Sequence, residues 1–243
     1  MHPKRPRVER LVPLAAAALG LLSGCVRIAE PPDEPIAFYV SSRRDVLRLR
    51  RVVFVELAAE GDCPARIAWD TTEALAYAIQ AKRFFHVDIV RRTDPVCRDL
   101  PLDRIGALDV HELPRIGKAL GCQAVLFGRV RHFQPHPRMQ MALNLKLVDL
   151  RDGKLVWGVD QAWDTADGNV ENRIRKYFRR EVRSGYEPLG YELVLNSPSA
   201  FERFVAYEAA NTLPPRRLPP KPAARATAAA SRPAGPDRQK SGK

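Results

Sequence analysis

The side chains whose types and spacing could do chemistry are few in this sequence. His132 and His136 are four residues apart, but they fall in a predicted strand and in a loop with two prolines, which favours solvent-exposed histidines over a metal site. Asp149, Asp152 and Asp160 could form a carboxylate site, although a turn explains Asp152 and the polar face of a strand explains the other two. A GxSxG elbow, a phosphate-binding glycine loop, HExxH and CxxC are also missing from the sequence. We therefore predict a protein that is not an enzyme and that has no catalytic residues, metal or cofactor.

Trp157 and Trp163 are the aromatic residues best placed to bind a ligand. They fall on one face of a predicted antiparallel strand, where two indole rings could stack on the sugar rings of a glycan. Tryptophans that share a strand face are more often buried in the core or covered by a helix, so we favour that structural role. Glycan binding is the alternative.

Cys25 has the clearest chemical assignment. It follows a basic segment, residues 1–10, and an apolar run, residues 11–22, which is too short to span a bilayer and is typical of a secretory signal. Together with Ser23 and Gly24, the cysteine resembles the lipobox of bacterial lipoproteins, in which the thiol receives diacylglycerol. An ordinary signal peptide that ends near a cysteine is the alternative. The resemblance implies a mature protein that begins at Cys25 and is held in the membrane by acyl chains such as palmitate.

The predicted destination is the periplasmic face of the outer membrane. Val26 is not an acidic residue, so the position after Cys25 carries no retention signal for the inner membrane. The net charge of +12 would suit nucleic acid, but nearly all of it lies in residues 1–10 and 214–243. Because an exported protein does not meet chromosomal DNA, we predict no nucleic-acid partner. The basic tail instead suits contact with anionic cell wall or lipid, and a purely solubilising tail is the alternative.

Three further cysteines, Cys63, Cys97 and Cys122, would be exposed to an oxidising periplasm. Cys63 and Cys97 follow two strands that a right-handed crossover makes parallel, so both loops leave the same edge of the sheet. Cys122 precedes its strand and lies at the opposite edge. We therefore predict a Cys63–Cys97 disulfide, with three unpaired thiols as the alternative.

The elements that must position these residues follow from hydrophobic periodicity. RVVFVEL indicates a buried strand, and the residues after Met139 alternate cleanly between apolar and polar. The first half is predicted to contain strand 51–57, a helix capped by Asp70 and Glu73 that runs to about Lys82, strand 85–90 and a helix from Leu113 to Gly121. Strand 124–133 follows, and then strands 139–148 and 155–163, which are joined by a turn at Asp152 and Gly153. The last predicted elements are helix 169–182, an edge strand at 191–195 and a helix capped by Ser197.

Four sequence blocks carry a resemblance to a known group of domains. They are RVVFVEL, TTEALAYAIQAKRFFHVDIV, LPRIGKALGCQAVLFGRVRHF and LNLKLVDLRDGKLVWG. Their order and content resemble the domain shared by CsgG-type curli secretion lipoproteins, LpoB-type activators of penicillin-binding proteins and the N-terminal domain of TolB. The resemblance covers residues 51–181 and implies an α/β (α+β) fold, with a mixed sheet of about five strands in βαβαβββ order and helices packed on the sheet.

The predicted organisation has four parts: a signal peptide over residues 1–24, a lipidated tether over 25–50, the folded domain over 51–212 and a disordered basic tail over 213–243. The resemblance implies a non-enzymatic lipoprotein that binds a periplasmic or envelope protein during cell-envelope assembly, with regulation of peptidoglycan synthesis as the leading context. The alternative is a subunit of a curli-type secretion or appendage complex. The partner-binding residues are not predicted.

Overall fold

Seven β-strands form one mixed sheet, with helices packed on it, in the part of the chain that the structure describes. This computed structural model describes residues 36–98, 100, 111–182 and 190–214. The predicted signal segment, Cys25 and nearly all of the predicted tail lie outside the described residues. In chain order the elements are β1 (Phe38–Val40), α1 (Arg43–Arg48), β2 (Arg51–Val55), β3 (Ala58–Ala59), α2 (Ala65–Ala81), β4 (His86–Val90), α3 (Pro95–Arg98), α4 (Leu113–Leu120), β5 (Ala124–Gln134), β6 (Gln140–Asp149), β7 (Leu155–Asp164), α5 (Gly168–Tyr177), a π-helical segment (Phe178–Val182), α6 (Glu192–Asn196) and α7 (Pro198–Asn211).

The sheet has a parallel half and an antiparallel half. Its strand order is β1-β7-β6-β5-β2-β4, and β3 pairs separately with β5. Strands β4, β2 and β5 are parallel, whereas β5, β6, β7 and β1 are antiparallel. The predicted mixed α/β sheet is confirmed, and β1 and β3 add to the five strands that were expected.

Two hydrophobic cores lie on the two faces of the sheet. Along β2, Val52 and Phe54 point into the larger core, which α2, α5 and α7 cover, whereas Val53 and Val55 point into a smaller core under α4. Helix α4 and the smaller core cover the second face over the parallel strands and over the adjoining ends of β6 and β7, where Val148 and Leu155 pack. Beyond these ends, the same face of β6 and β7 carries exposed or half-buried residues apart from Gly158. Among the described residues, no helix is long and apolar enough to cross a membrane.

Helix α2 begins five residues before the predicted cap. Pro64 occupies the N-cap position with φ −63°, and Ile67 and Ala68 in the first turns are buried. Asp70 is not a cap; it lies within the helix, where its Oδ2 accepts a hydrogen bond from Arg66 at 2.9 Å. Burial of the first turns against the sheet therefore decides where this helix begins.

Several predicted boundaries are confirmed. Helix α4 carries Pro114 in its first turn and ends at Gly121, whose φ of 61° is the left-handed conformation that favours glycine. Gly153 has φ 72° in the turn between β6 and β7. The Ser197 hydroxyl accepts a hydrogen bond from Ala200 N at 3.4 Å and so caps α7. The predicted helix 169–182 is α5 followed by the π-helical segment.

Two predictions are wrong, one about an edge strand and one about the length of the tether. The predicted edge strand at 191–195 is helix α6, in which Val194 packs into the larger core. The predicted tether extends too far, because β1 pairs with β7 and α1 buries Val46 and Leu49. Ser42 caps α1 by accepting a hydrogen bond from Asp45 N at 3.1 Å. The many arginines around Val46 and Leu49 made these two core residues hard to recognise in the sequence.

Candidate protein-binding surface

The paired tryptophans of β7 are core residues. Trp157 and Trp163 are each 1% exposed. Their indole N–H groups donate hydrogen bonds to Thr212 Oγ1 and Glu208 Oε2 at the end of α7, both at 2.8 Å. The preferred structural role is confirmed, and a glycan-stacking platform is excluded because both rings are covered by α7.

The three aspartates that could have formed a carboxylate site have separate roles. Asp152 accepts a hydrogen bond from Lys154 N within the predicted turn at 3.1 Å. Asp160 lies on the polar face of β7, as predicted. Asp149 is different from the prediction because it is buried, and an ion pair with Arg151 holds its pKa below the usual range against the opposing effect of burial.

His132 and His136 are both exposed, which confirms the expectation of solvent-exposed histidines. His132 Nε2 lies 3.2 Å from Gln140 Oε1, and His136 is exposed in the loop between β5 and β6. Over the residues that the structure describes, no three His, Cys, Asp or Glu side chains come together as a metal site. The imidazole of His132 therefore takes part in a surface hydrogen-bond network.

The predicted Cys63–Cys97 disulfide is not formed, and Cys63, Cys97 and Cys122 are free thiols. Cys63 packs in the larger core and Cys97 in the smaller core, on the other face of the sheet. Both cysteines follow parallel strands at one edge, as the prediction assumed, but their loops turn to opposite faces. Burial raises the pKa of all three thiols, that of Cys122 to about 11.

The second face of the antiparallel half is a polar, ordered surface without a covering helix among the described residues. We call it the open face. Cross-strand register places its residues in rows, because Tyr39 pairs with Gly158 and Gly158 with Lys146, while Asp160 pairs with Asn144 and Asn144 with Arg129. The open face comprises Tyr39, Arg129, Arg131, His132, Gln140, Ala142, Asn144, Lys146, Gly158, Asp160, Ala162 and Asp164.

One hydrogen-bond network holds the middle of the open face. Asp160 accepts from the Arg131 guanidinium at 2.6 Å and from Asn144 Nδ2 at 3.0 Å. Arg129 reaches Glu60 at 3.5 Å across the edge of β5. These polar and charged side chains come from β5, β6 and β7 and from Glu60 just after β3, and their contacts hold them in position, which is the arrangement that polar recognition of a partner requires.

A second network holds the end of the open face near the β5–β6 loop. Gln140 Nε2 donates to Asp164 Oδ2 at 2.8 Å, while Gln140 Oε1 faces His132. The amide of Gln140 therefore links β5 to β7 across β6. This end of the face presents both acceptors and donors.

The other end of the open face is apolar. A shallow depression of about 320 Å³ lies over Gly158 and is bordered by Tyr39, Leu155 and Lys146. Phe38 and Tyr39 on the neighbouring edge strand are 51% and 49% exposed. A Cβ at Gly158 would lie 3.0 Å from the backbone oxygen of Leu145, so only glycine fits here without displacing that backbone. The absence of a side chain at this position leaves the depression open.

A second depression of about 540 Å³ lies among α2, the π-helical segment and α7. Tyr77 on its rim is 81% exposed. Its floor is filled by ring contacts, because Tyr177 and Tyr207 have centroids 4.9 Å apart and Lys82 Nζ lies 5.9 Å above the Tyr207 ring. The open face is the better candidate because its polar groups point outward.

A buried carboxyl lies on the helix-covered side of the sheet. Glu202 in α7 is 3% exposed, and burial raises its pKa to about 7, with a smaller contribution from Asp70 and opposing effects of Arg66 and Arg203. The Glu202 charge also contributes to the raised pKa of the Cys63 thiol. No hydrogen bond joins Glu202 to another described residue, so the free energy of unfolding depends on the protonation state of this buried acid.

The residues of β1 were missed because they fell in the predicted tether. Ile36 to Val40 is a run of apolar and aromatic residues with high β-propensity, and that signal would have found the edge strand. The neighbouring prolines and arginines outweighed it. The aromatic residues at that end of the open face were therefore not predicted either.

No family model matches this chain, and no curated protein matches it. Solved structures similar to it include a PelC dodecamer from Paraburkholderia phytofirmans, with TM-score 0.39, 14% identity and coverage of 56% of this chain and 86% of that chain. Lipoprotein GNA1162 from Neisseria meningitidis gives TM-score 0.35 and 13% identity over 56% of this chain and 97% of that chain. The LpoB C-terminal domain from Salmonella enterica gives TM-score 0.34 and 20% identity over 50% of this chain and 91% of that chain. At TM-scores this low, the similarities do not establish a family for this chain.

Proposed function

We propose that this protein is a lipid-anchored lipoprotein on the periplasmic side of the outer membrane and that its domain is a non-enzymatic protein-binding module of cell-envelope assembly. The export signal that ends at Cys25 supports the anchor. The leading context is regulation of peptidoglycan synthesis, on the resemblance of residues 51–181 to LpoB-type activators. The open face is the observation that carries the binding function.

The open face has the composition of a protein interface. Tyrosine and arginine are enriched at residues that dominate binding energy, and Tyr39 and Arg131 supply both types on one surface. The Asp160 network fixes Arg131 before a partner arrives, so less side-chain entropy is lost on binding. An apolar depression beside ordered charges suits a partner with one protruding apolar side chain and complementary polar groups.

Strand β1 adds an exposed backbone edge to this surface. Ala37 O accepts from Asp160 N at 3.2 Å and Ser41 N donates to Val156 O at 2.9 Å, so alternate backbone groups of β1 face β7. The N–H and C=O groups of Phe38 therefore point away from the sheet. A partner segment can extend the sheet at this edge while its side chains meet the open face.

Photo-crosslinking in intact cells tests the proposal. A benzophenone amino acid replaces Ala162 on the open face, and the matched control places it at Tyr77 on the helical side. We expect a discrete adduct from position 162 that position 77 does not give. Equal adducts from both positions, or none from position 162, would contradict the binding role of the open face.

Affinity and anchoring supply the remaining measurements. With the captured partner purified, Tyr39→Ala and Arg131→Ala are each expected to weaken binding by about 10-fold to 30-fold, as for the tyrosine and arginine residues that dominate binding energy. Replacement of Cys25 by alanine is expected to release the protein from the membrane fraction. Retention of that variant in the membrane would contradict the anchor without affecting the test of the open face.

A further inference from the structure

One edge of the sheet gathers α1, the β6–β7 turn and the starts of β2 and β4. Lys154 Nζ donates to Asp45 Oδ2 in α1 at 2.7 Å, which ties the turn to that helix. Arg50 N donates to Gln123 Oε1 at 2.7 Å, and His86 N donates to Arg50 O at 2.8 Å. These contacts make the edge continuous from α1 to β4.

Cations exceed their acid partners along this edge. Of four aspartates here, Asp45 binds Lys154 and also Arg48 at 3.8 Å, Asp88 binds Arg51, and Asp149 binds Arg151, while Asp152 in the β6–β7 turn is exposed. Three further arginines are exposed and have no ion pair with any residue that the structure describes. These are Arg44 in α1, Arg50 before β2 and Arg83 before β4.

The backbone conformation at position 83 gives no reason for an arginine there. Its φ of 57° is left-handed, a conformation that favours glycine over a residue with a long side chain. The neighbouring Gln80 O accepts a hydrogen bond from the Arg83 N–H at 3.0 Å, and glycine would form the same bond. The turn alone therefore gives no reason for a cation.

An apolar side chain lies among these cations. Leu47 in α1 is 45% exposed, between Arg44 and Arg48, while Val46 and Leu49 on the other side of the helix are buried. A leucine flanked by arginines on an exposed helical surface is the pattern of a protein surface that lies in a lipid headgroup region.

We propose that this basic edge, formed by Arg44, Leu47, Arg48, Arg50 and Arg83, binds the anionic phospholipid headgroups of the membrane that carries the protein. The arginines bind phosphate oxygens, and Leu47 enters the apolar boundary beneath them. A phosphorylated glycan would satisfy the arginines but would offer nothing to Leu47.

The position of the edge in the chain agrees with this partner. Cys25 precedes Ile36, the first described residue of the domain, by eleven residues, a length that reaches at most about 40 Å when fully extended. The edge can therefore return to the bilayer that holds the acyl chains. The inference rests on the proposed lipid anchor in this respect, while the charges and the exposed leucine stand independently of it.

A fluorescent label at residue 47 tests contact with lipid. Leu47→Cys introduces an exposed thiol, whereas burial raises the pKa of the three described native thiols and so slows their labelling at neutral pH. The acylated protein, labelled with an environment-sensitive dye, is reconstituted in phosphatidylcholine vesicles with and without phosphatidylglycerol. We expect blue-shifted, stronger emission only with phosphatidylglycerol, while the same dye on Tyr77→Cys does not respond.

Charge variants identify the groups responsible. With Arg44, Arg50 and Arg83 all changed to glutamine, the ratio of docked to undocked domain is expected to fall on the order of 100-fold, because each arginine near an anionic surface contributes a factor of about five. A matched variant with Arg138, Arg180 and Arg203 changed to glutamine has the same net charge and is expected to behave as the parent protein.

Salt dependence and vesicle flotation distinguish a failure of the basic edge from a failure of the lipid anchor. Raising the salt from about 0.01 M to about 1 M shortens the screening length from about 30 Å to about 3 Å and is expected to abolish the dye response. Equal emission in both lipids, or equal losses in the two charge variants, would overturn the proposal. A protein that does not float with neutral vesicles contradicts the lipid anchor alone, and added phosphatidylglycerol vesicles then still test the basic edge.

Discussion

Replacing Glu202 by glutamine is predicted to stabilise the protein above neutral pH. The side chain is buried in α7, and burial raises its pKa from 4.5 to about 7. Between these two pH values the folded state binds the proton and the unfolded state does not. Stability therefore decreases as the pH rises through this window, and the decrease is complete above the folded pKa.

The magnitude follows from the size of the pKa difference. One pKa unit corresponds to about 1.4 kcal/mol, so a rise from 4.5 to about 7 gives at most about 3 kcal/mol. Glutamine has nearly the same shape and carries no charge at any pH. The Glu202→Gln variant is thus expected to match the parent protein near pH 5 and to exceed its stability by about 2 to 3 kcal/mol near pH 8.

Urea denaturation followed by circular dichroism from pH 5 to pH 8.5 measures this difference. Glu192→Gln is the matched control, because Glu192 is exposed at the start of α6 and the substitution removes the same charge. The control is expected to keep the pH dependence of the parent protein, whereas Glu202→Gln loses most of it. If the parent protein shows a flat or rising stability across this window, or if both variants behave alike, the reasoning about burial is refuted.

Three further predictions test packing and thiol chemistry. Mass mapping without reduction is expected to find all three described cysteines alkylated after unfolding, and a peptide pair linked by a disulfide would contradict their placement on opposite faces of the sheet. Gly128→Ala is expected to cost about 2 kcal/mol or more in urea denaturation, because its Cβ would lie 2.1 Å from the Asn144 backbone oxygen; an unchanged midpoint would contradict this close approach. Trp157→Phe removes the hydrogen bond to Thr212 and is expected to cost about 1 to 3 kcal/mol; a loss below about 0.5 kcal/mol would show that α7 is not held there.

Local chemistry was sufficient to predict some elements from the sequence. Gly121 ends α4 because the left-handed conformation is nearly specific to glycine, and Asp152 with Gly153 determines the hairpin in the same way. The alternation after Met139 predicts β6 because only one face of that strand is buried. Each of these signals is contained in a few consecutive residues.

The elements that were missed depend on distant contacts. Helix α1 has a basic surface, and only its packing against the sheet shows that Val46 and Leu49 are core residues. Residues 191–195 have apolar positions that suit either a strand or a helix, and their packing decides for α6. In the same way, the two cysteine loops leave one edge as predicted, but the sequence does not determine the face to which each loop turns.

The open face could not be predicted from the sequence because the register between strands decides which residues meet on it. Arg131, Asn144 and Asp160 come from three strands, and only the pairing of β5 with β6 and of β6 with β7 brings them within hydrogen-bond distance. A shift of one residue in any pairing would turn these side chains to the other face. The sequence could indicate a polar strand face, but not which polar residues meet on it.

The two proposed surfaces together constrain the partner. With the basic edge on the headgroups, strand β7 rises away from the membrane, since Leu155 follows the turn that contacts α1. Gly158 and its apolar depression then lie closer to the bilayer than Asp164, which is about 20 Å farther along the strand. Under both proposals, a partner that covers the whole open face extends from near the headgroups to about 20 Å farther from the membrane, a position that a membrane-anchored protein can reach.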